Sequence, residues 1–459
     1  MKAASSFISL EDINKLLESP RNYSPEAVRR ILEKARQKKG LTLEEVGYLV
    51  NLNDKALLAE LFEAAAWIKQ EIYGERLVFF APLYVSDHCV NDCEYCNFHT
   101  RNKGFIRRKL TLDEVEEQTK FIINQGHKRI LLEFGEDNIH NKIDYVVDVI
   151  NKIYSVRTDK GNIRRVNVNI AATGVEDYRK LKGAQIGTYQ LFQETYHRPT
   201  YEKLHKGPKA DYDRQITAHT RAFEAGVDDV GLGVLFGLYD WRFEVLGLVA
   251  HAQYLDKTYG IGPHTISVPR ICPAPSVDYK PAYPVSDDDF LKLIAILRLA
   301  VPYTGMIIST RESPEIRKPA FKVGISQASA GSVTTTGGYG RKDAQPQFNI
   351  HDERSLEDVI KDVINDKMIP SFCTACYRSG RTGERFMKLS KPGEIHKFCR
   401  PNALLTFAEY LYDCSTNGIT EQGMQLIADY LEKIDDESMR SETRRRLIEI
   451  KNGKRDLYF

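Results

Sequence analysis

The sequence has almost no net charge. Lys and Arg number 65 against 63 Asp and Glu, a formal balance of +2, so neither nucleic acid nor an anionic membrane surface is an expected partner. It lacks an apolar run long enough to span a bilayer. Its first residues, MKAASSFISLEDINKLLES, have no apolar h-region and turn acidic early, which excludes a signal peptide. The expectation is a cytoplasmic protein with no membrane partner. No GK[ST] phosphate loop is present. The glycines of GLGVLFG, Gly231 to Gly237, fall within a strand and not between a strand and a helix, so they are not a dinucleotide fingerprint. There is no internal repeat and no low-complexity tract. Cysteine is sparse, 8 in 459 residues with three tightly clustered, which argues for metal ligation in a reducing cytosol over disulfides. What is present is an ordinary globular composition, 42% hydrophobic and 28% charged. The length allows two to four domains, or one large barrel with appendages.

The clustered thiols are Cys89, Cys93 and Cys96, in the stretch CVNDCEYC with spacing C-x3-C-x2-C. Thiolates suit iron–sulfur clusters, and a 4Fe-4S cluster has four corners. Three cysteines leave one iron open to a small-molecule chelator. The alternatives are a zinc site or free thiols, but zinc normally takes four ligands in paired C-x2-C or C/H spacing, which this motif lacks.

Residues 1–76 read as a helical N-terminal segment, with apolar residues at helical spacing near 24–38 and 54–73, such as Leu57, Leu58, Leu61 and Ala65. Strands are then expected at Val78–Val85, Ile130–Phe134, Val166–Ile170, Gly187–Phe192, Asp229–Leu235, His264–Val268, Gly305–Ser309 and Phe321–Ile325. Between them lie helical patterns, among them one opened by a capping box at Thr111 and Glu114, and Asp211–Ala225, Trp241–Tyr254 and Asp287–Ala300. Eight strands alternating with helices imply an α/β fold of the TIM type, a (β/α)8 barrel over 77–336, with its chemistry at the C-terminal ends of the strands. From 337 to 459 the pattern breaks into a glycine-rich polar loop, GGYGRKDAQPQF, and then a mostly helical cluster-binding domain.

That last part holds a second cysteine group, Cys373 and Cys376 in CTAC, with Cys399 further on. It has three corners of a cluster, or a structural zinc completed by His396. Cys272 and Cys414 read as packed thiols. Gly135 and Glu136 lie just past strand two, where a glycine lets backbone approach a ligand and a carboxylate orients an amine. Glu194 and Arg214 follow strand four, and Ser309 and Arg311 follow strand seven, where an arginine is placed to clamp a carboxylate. His264, at the start of strand six, reads by itself as a structural residue.

Taken together, CVNDCEYC, GED, QETY, STRES and CTAC with Cys399 resemble the tyrosine lyases of the radical S-adenosylmethionine (SAM) superfamily, and most closely those that mature FeFe-hydrogenase. The resemblance runs from about Leu77 to Arg400. It implies that Cys89, Cys93 and Cys96 hold a SAM-binding 4Fe-4S cluster, that Gly135 and Glu136 meet the methionyl amine, Arg214 the SAM carboxylate and Glu194 the ribose. It implies cleavage of the Cα–Cβ bond of L-tyrosine, held by Arg311 and Ser309, to p-cresol and dehydroglycine, driven by a one-electron reductant. It further implies a second 4Fe-4S cluster on Cys373, Cys376 and Cys399, with an extra labile iron bound by His264. There the fragment becomes carbon monoxide and cyanide for the H-cluster precursor, delivered to hydrogenase maturation proteins. The alternative within the family is a 2-iminoacetate (dehydroglycine) synthase of the thiazole pathway, which lacks the C-terminal cysteines. A non-catalytic iron–sulfur scaffold leaves Glu136 and Arg311 without a purpose. Products made at one end of a barrel and used at the other require a channel, for which Ser267, Ser309 and Gly324 are the candidate lining residues by alternation.

Overall fold

The stretch RLVFFAPLYVS forms β1 (Arg76–Ser86), and every residue after Arg76 in it is buried. Such a continuous apolar run suits a strand with helices on one face and a filled lumen on the other. In the computed structural model, which describes residues 7–18, 24–341 and 345–459, seven strands follow it around a closed barrel. They are β2 (Arg129–Phe134), β3 (Arg165–Asn169), β4 (Tyr189–Gln190), β5 (Val230–Gly233), β6 (Thr265–Ser267), β7 (Gly305–Ile308) and β8 (Gln327–Ser329). All neighbours pair in parallel, and β8 closes the barrel against Val78–Phe80 of β1. The expected (β/α)8 architecture is therefore present. The opening of the N-terminal stretch and residues 342–344 of the glycine-rich loop lie outside the described residues.

A ninth strand, β9 (Ile369–Ser371), is added to the bottom of the barrel. It pairs with Arg76–Val78, on the edge of β1 that β2 occupies from Ala81 upward. The segment that carries the second cysteine group is thus part of the same sheet.

Two expectations need correction. The run Phe321–Ile325 is not strand eight: Phe321 belongs to the helix Pro314–Val323, and the strand is Gln327–Ser329. A short apolar run packs equally well as the last turn of a helix, and Ala320 and Phe321 are buried in that role. Gly324 consequently sits outside the lumen, where an added Cβ would meet Ile294 and Arg298. The pattern 211–225 is also two helices, Tyr212–Ile216 and Ala218–Glu224, and not one.

Local sequence explains where helices begin. Thr111 and Glu114 form the reciprocal capping box, and Ser286 and Ser355 cap their helices by accepting from the third N–H onward. The N-terminal helices Pro25–Arg36, Leu43–Val50 and Lys55–Tyr73 pack on the outer helices Trp241–Tyr259 and Asp287–Ala300. They brace the wall, and the last of them leads directly into β1.

The lumen departs from the usual bulky apolar filling. Phe80, Leu131 and Ile307 form one small apolar cluster. Around it Asn167, Gln190, Thr265, Ser267, Gln327 and Ser329 are buried. Gln190 Nε2 lies 3.4 Å from Thr265 Oγ1, and Arg129 donates to Gln327 Oε1 at 3.0 Å. Gly305 makes room for this layer: a Cβ there would lie 2.5 Å from Gln327 Nε2.

Past β8 the chain returns over the top of the barrel and is pinned by Asp352. Its carboxylate pairs with Arg317, both side chains fully buried, and accepts from Arg354 Nε at 2.8 Å. Removing one partner of a buried pair strands the other charge. Asp352→Ala should therefore lower stability by roughly 3–5 kcal/mol in urea titration; a loss below about 1 kcal/mol would mean that Arg317 finds water or another acceptor.

Candidate functional site

The upper cavity, of about 220 Å³, opens at the C-terminal ends of the strands. Cys89, Cys93, Cys96, Gly135, Glu136, Glu194, Ser309 and Arg311 all line it, together with Ser267. The loop after β1 carries the three thiols, and the loop after β2 is pressed against it. Gly135 N–H donates to Ser86 O at 2.8 Å and Val90 N–H to Glu136 O at 2.7 Å. A Cβ on Gly135 would lie 2.4 Å from His88 O, so only glycine allows that approach.

Glu136 is buried and oriented from both sides. Asn91 Nδ2 donates to one carboxylate oxygen at 2.6 Å and Arg214 Nη2 to the other at 2.6 Å. Arg214 therefore stands behind Glu136, also donating to Ala172 O, and is not on the wall of the upper cavity. Glu194 adopts a positive φ of 67° and receives the half-buried Lys209 ammonium at 2.6 Å. The Arg311 guanidinium lies 3.2 Å above the centre of the Phe348 ring. The returning segment covers the motif: Asn97 Nδ2 donates to Pro346 O at 2.7 Å, and Tyr84 OH to Gln347 Oε1 at 2.9 Å.

At the opposite end a second, smaller cavity of about 50 Å³ is lined by Cys373, Cys376, Cys399 and His264, with Arg76, Arg129, Gln327 and Tyr377. His264 stacks on Phe386 with ring centroids 4.0 Å apart, and its Nδ1 lies 3.1 Å from the buried Asp229 carboxylate. That proximity is an ion-pair contact without an aligned hydrogen bond, and it turns Nδ1 toward Asp229 and leaves Nε2 for another partner. Arg76 faces Cys399 and Cys373, and Arg381 faces Cys376 and Cys399. Arg129 Nη2 donates to Cys373 O at 2.8 Å. Val78, Arg129 and Gln327 line the lower cavity while Phe80, Leu131 and Ser329, two residues further along the same strands, line the upper one.

Both triads fit a cluster better than a single ion. A tetrahedral zinc draws its sulfurs to about 3.8 Å from one another. Among the described residues, three His, Cys, Asp or Glu donor atoms come within 4.8 Å of one another only at His88, Asp137 and His140, not at either triad. His396 packs beside Gly74 and does not line the lower cavity, which removes the expected fourth ligand of a zinc site. Burial pushes the Cys93 thiol far above its ordinary value, Cys96 up to about 11 and Cys376 up to about 12. These sulfurs become thiolates only with a cationic centre beside them.

Sequence reasoning missed several wall residues. Lys209 lies in an unremarkable turn and carried no signal. Glu133 did carry one: it is a carboxylate inside the otherwise apolar run of β2. It lines the upper cavity, and burial, against the opposing pull of Arg311, lifts its pKa to about 8. A carboxyl whose folded pKa is raised contributes stability that is complete below its unfolded value, about 4.5, and is lost as pH rises toward 8. In the metal-free protein, Glu133→Gln should therefore gain on the parent by up to roughly 3–4 kcal/mol between pH 5 and 8. Parallel urea midpoints across that range would show that Glu133 is ionised at no cost.

Residues 83–246 match the family model of the radical SAM superfamily, and residues 267–368 that of the biotin and thiamin synthesis associated domain. The chain is 31% identical over 333 residues to the 2-iminoacetate synthase of Escherichia coli (strain K12), covering 72% of this chain and 86% of that protein. Among solved structures, a HydG described as a maturase of the [FeFe]-hydrogenase is 52% identical, with a TM-score of 0.96 over 99% of this chain and 100% of that one. The FeFe-hydrogenase maturase HydG from Carboxydothermus hydrogenoformans is 39% identical, with a TM-score of 0.83 over 97% and 98% of the two chains.

Proposed function

Because the chain belongs to the radical SAM superfamily, in the branch that contains the HydG maturases, we propose that it is the tyrosine lyase of hydrogenase maturation. In this reading it cleaves the Cα–Cβ bond of L-tyrosine to p-cresol and dehydroglycine. It then passes the small fragment down the barrel for conversion to carbon monoxide and cyanide. The observation that carries the proposal is the pair of cysteine triads, each with one fully buried member, lining cavities at opposite ends of one polar lumen. A lyase that stops at dehydroglycine has no use for the lower one.

Cys89, Cys93 and Cys96 hold the 4Fe-4S cluster in this proposal, which with SAM and a one-electron reductant supplies a 5′-deoxyadenosyl radical. Glu136 accepts the methionyl amine, kept in place by Asn91 and Arg214. Glu194, with Lys209, borders the ribose. Arg311 clamps the tyrosine carboxylate through its planar fork while its other face rests on Phe348. Glu133 stays protonated up to about pH 8, so it does not compete as a counter-ion for Arg311. Ser309 adds a hydroxyl to the same wall. The covering segment around Gln347 and Phe348 keeps water from the reacting atoms. Cys373, Cys376 and Cys399 would hold a second cluster and His264 an extra labile iron, which together supply the site for the carbonyl and cyanide chemistry.

Two substitutions test this. Cys93→Ala should abolish both 5′-deoxyadenosine and p-cresol in anaerobic assays with SAM, tyrosine and dithionite; p-cresol formation at the parent's rate would end the lyase proposal. Cys373→Ala with Cys376→Ala should retain p-cresol formation within about tenfold, yet lose carbon monoxide release and activation of an apo-hydrogenase. If that double variant matures hydrogenase as the parent does, the thiazole-type lyase becomes the better reading.

A further inference from the structure

Three side chains next to the loops of Cys89 and Glu136, off the wall of the upper cavity, form a cluster that the lyase reading does not use. His88 immediately precedes Cys89, Asp137 follows Glu136, and His140 lies one turn further along the loop after β2. Each offers one donor atom, and the three donors lie within 4.8 Å of one another. The His88 and His140 rings stack with centroids 3.9 Å apart at 18°. Asp137 Oδ2 is 3.0 Å from His140 Nδ1.

The cluster is held in place. Asp137 Oδ1 accepts from the backbone N–H groups of Ile139 at 2.8 Å and His140 at 2.9 Å, which fixes the carboxylate plane and leaves Oδ2 facing the imidazoles. Asn141 Nδ2 bridges the two loops, donating to His88 O at 3.1 Å and Gly135 O at 2.7 Å. The close packing of Gly135 on His88 O adds a steric constraint. The backbone that carries all three donors is therefore braced before any ligand arrives.

We propose that His88, Asp137 and His140 form a binding site for a divalent transition-metal ion, separate from both cysteine triads. Donors around an ion at about 2.1 Å stand roughly 3.0–3.4 Å apart, so binding requires at least one imidazole to turn out of the stack and aim its in-plane lone pair at the ion. Two imidazoles and one carboxylate suit zinc, iron(II), cobalt or nickel, whereas magnesium and calcium take oxygen donors. The His140 side chain is 44% exposed, and His88 and Asp137 are partly buried, so the remaining coordination positions face water and the ion enters from solvent. An ion bound there ties the loop that presents Cys89 to the loop that presents Glu136. The site thus acts as an external staple on these two loops. Its existence does not depend on the lyase proposal.

The test is zinc binding to untagged, cluster-loaded protein, measured by anaerobic equilibrium dialysis with elemental analysis, in the parent, His140→Ala and Asp137→Asn. Both positions lie off the cavity wall, and iron and sulfide contents equal to the parent's establish that each variant is folded and loaded. The parent should take up one zinc more than either variant, with each substitution weakening that equivalent at least ~tenfold. A thermal midpoint that rises with zinc in the parent alone would support the same site by a second route. Equal zinc uptake by all three proteins, or loss in one variant only, overturns the three-ligand assignment.

Discussion

The molecule depends on β1 being longer than its neighbours. Its eleven residues pair with three strands: β9 at the bottom on one edge, β2 above it on that same edge, and β8 on the other. The top of β1 leads into Cys89, Cys93 and Cys96. Its lowest residues, Arg76 to Val78, hold the strand that leads into Cys373 and Cys376. Both pairings are parallel, with β9 on Arg76–Val78 and β2 from Ala81 upward, so the two cysteine groups are held to one strand and not joined by a flexible linker. A change that slips this register by one residue inverts every side chain of β1 between lumen and wall. It would therefore damage both ends together.

The second constraint is electrostatic. Thiols withdrawn from water become thiolates only where positive charge stands beside them. At the lower end Arg76 and Arg381 provide part of it. At the upper end Lys209 faces Cys93 and is itself balanced by Glu194. The same logic explains the polar lumen. Buried amides and hydroxyls such as Gln190, Thr265 and Gln327 find hydrogen-bond partners across the barrel, and an apolar trio of Phe80, Leu131 and Ile307 sits among them.

Much of this is legible in the chain. Periodicity sets barrel strands apart from helices, and spacing groups the thiols into two sets, because both are read from residues near one another in the chain. Strand eight is not legible in the same way. The run at Phe321 is apolar whether it ends a helix or starts a strand, and only its neighbours Ile294 and Arg298 settle which. Arg214 stands out in the chain by its place after strand four, but its contact with Glu136 is a meeting of residues 78 positions apart. Lys209 and Phe348 give no local sign, since each acquires its role from the surface that folds against it.

The sequence by itself determined the fold class, the two thiol sets and the end of the barrel at which Glu136 and Arg311 lie. Those follow from residue type and from position relative to a strand. Only the tertiary structure decided that His264 stands beside Cys373 and Cys376, that burial raises the pKa of Glu133 near Arg311, and that His88 meets His140. Distances and burial across the barrel depend on closure of the sheet, and closure is a property of all its strands at once.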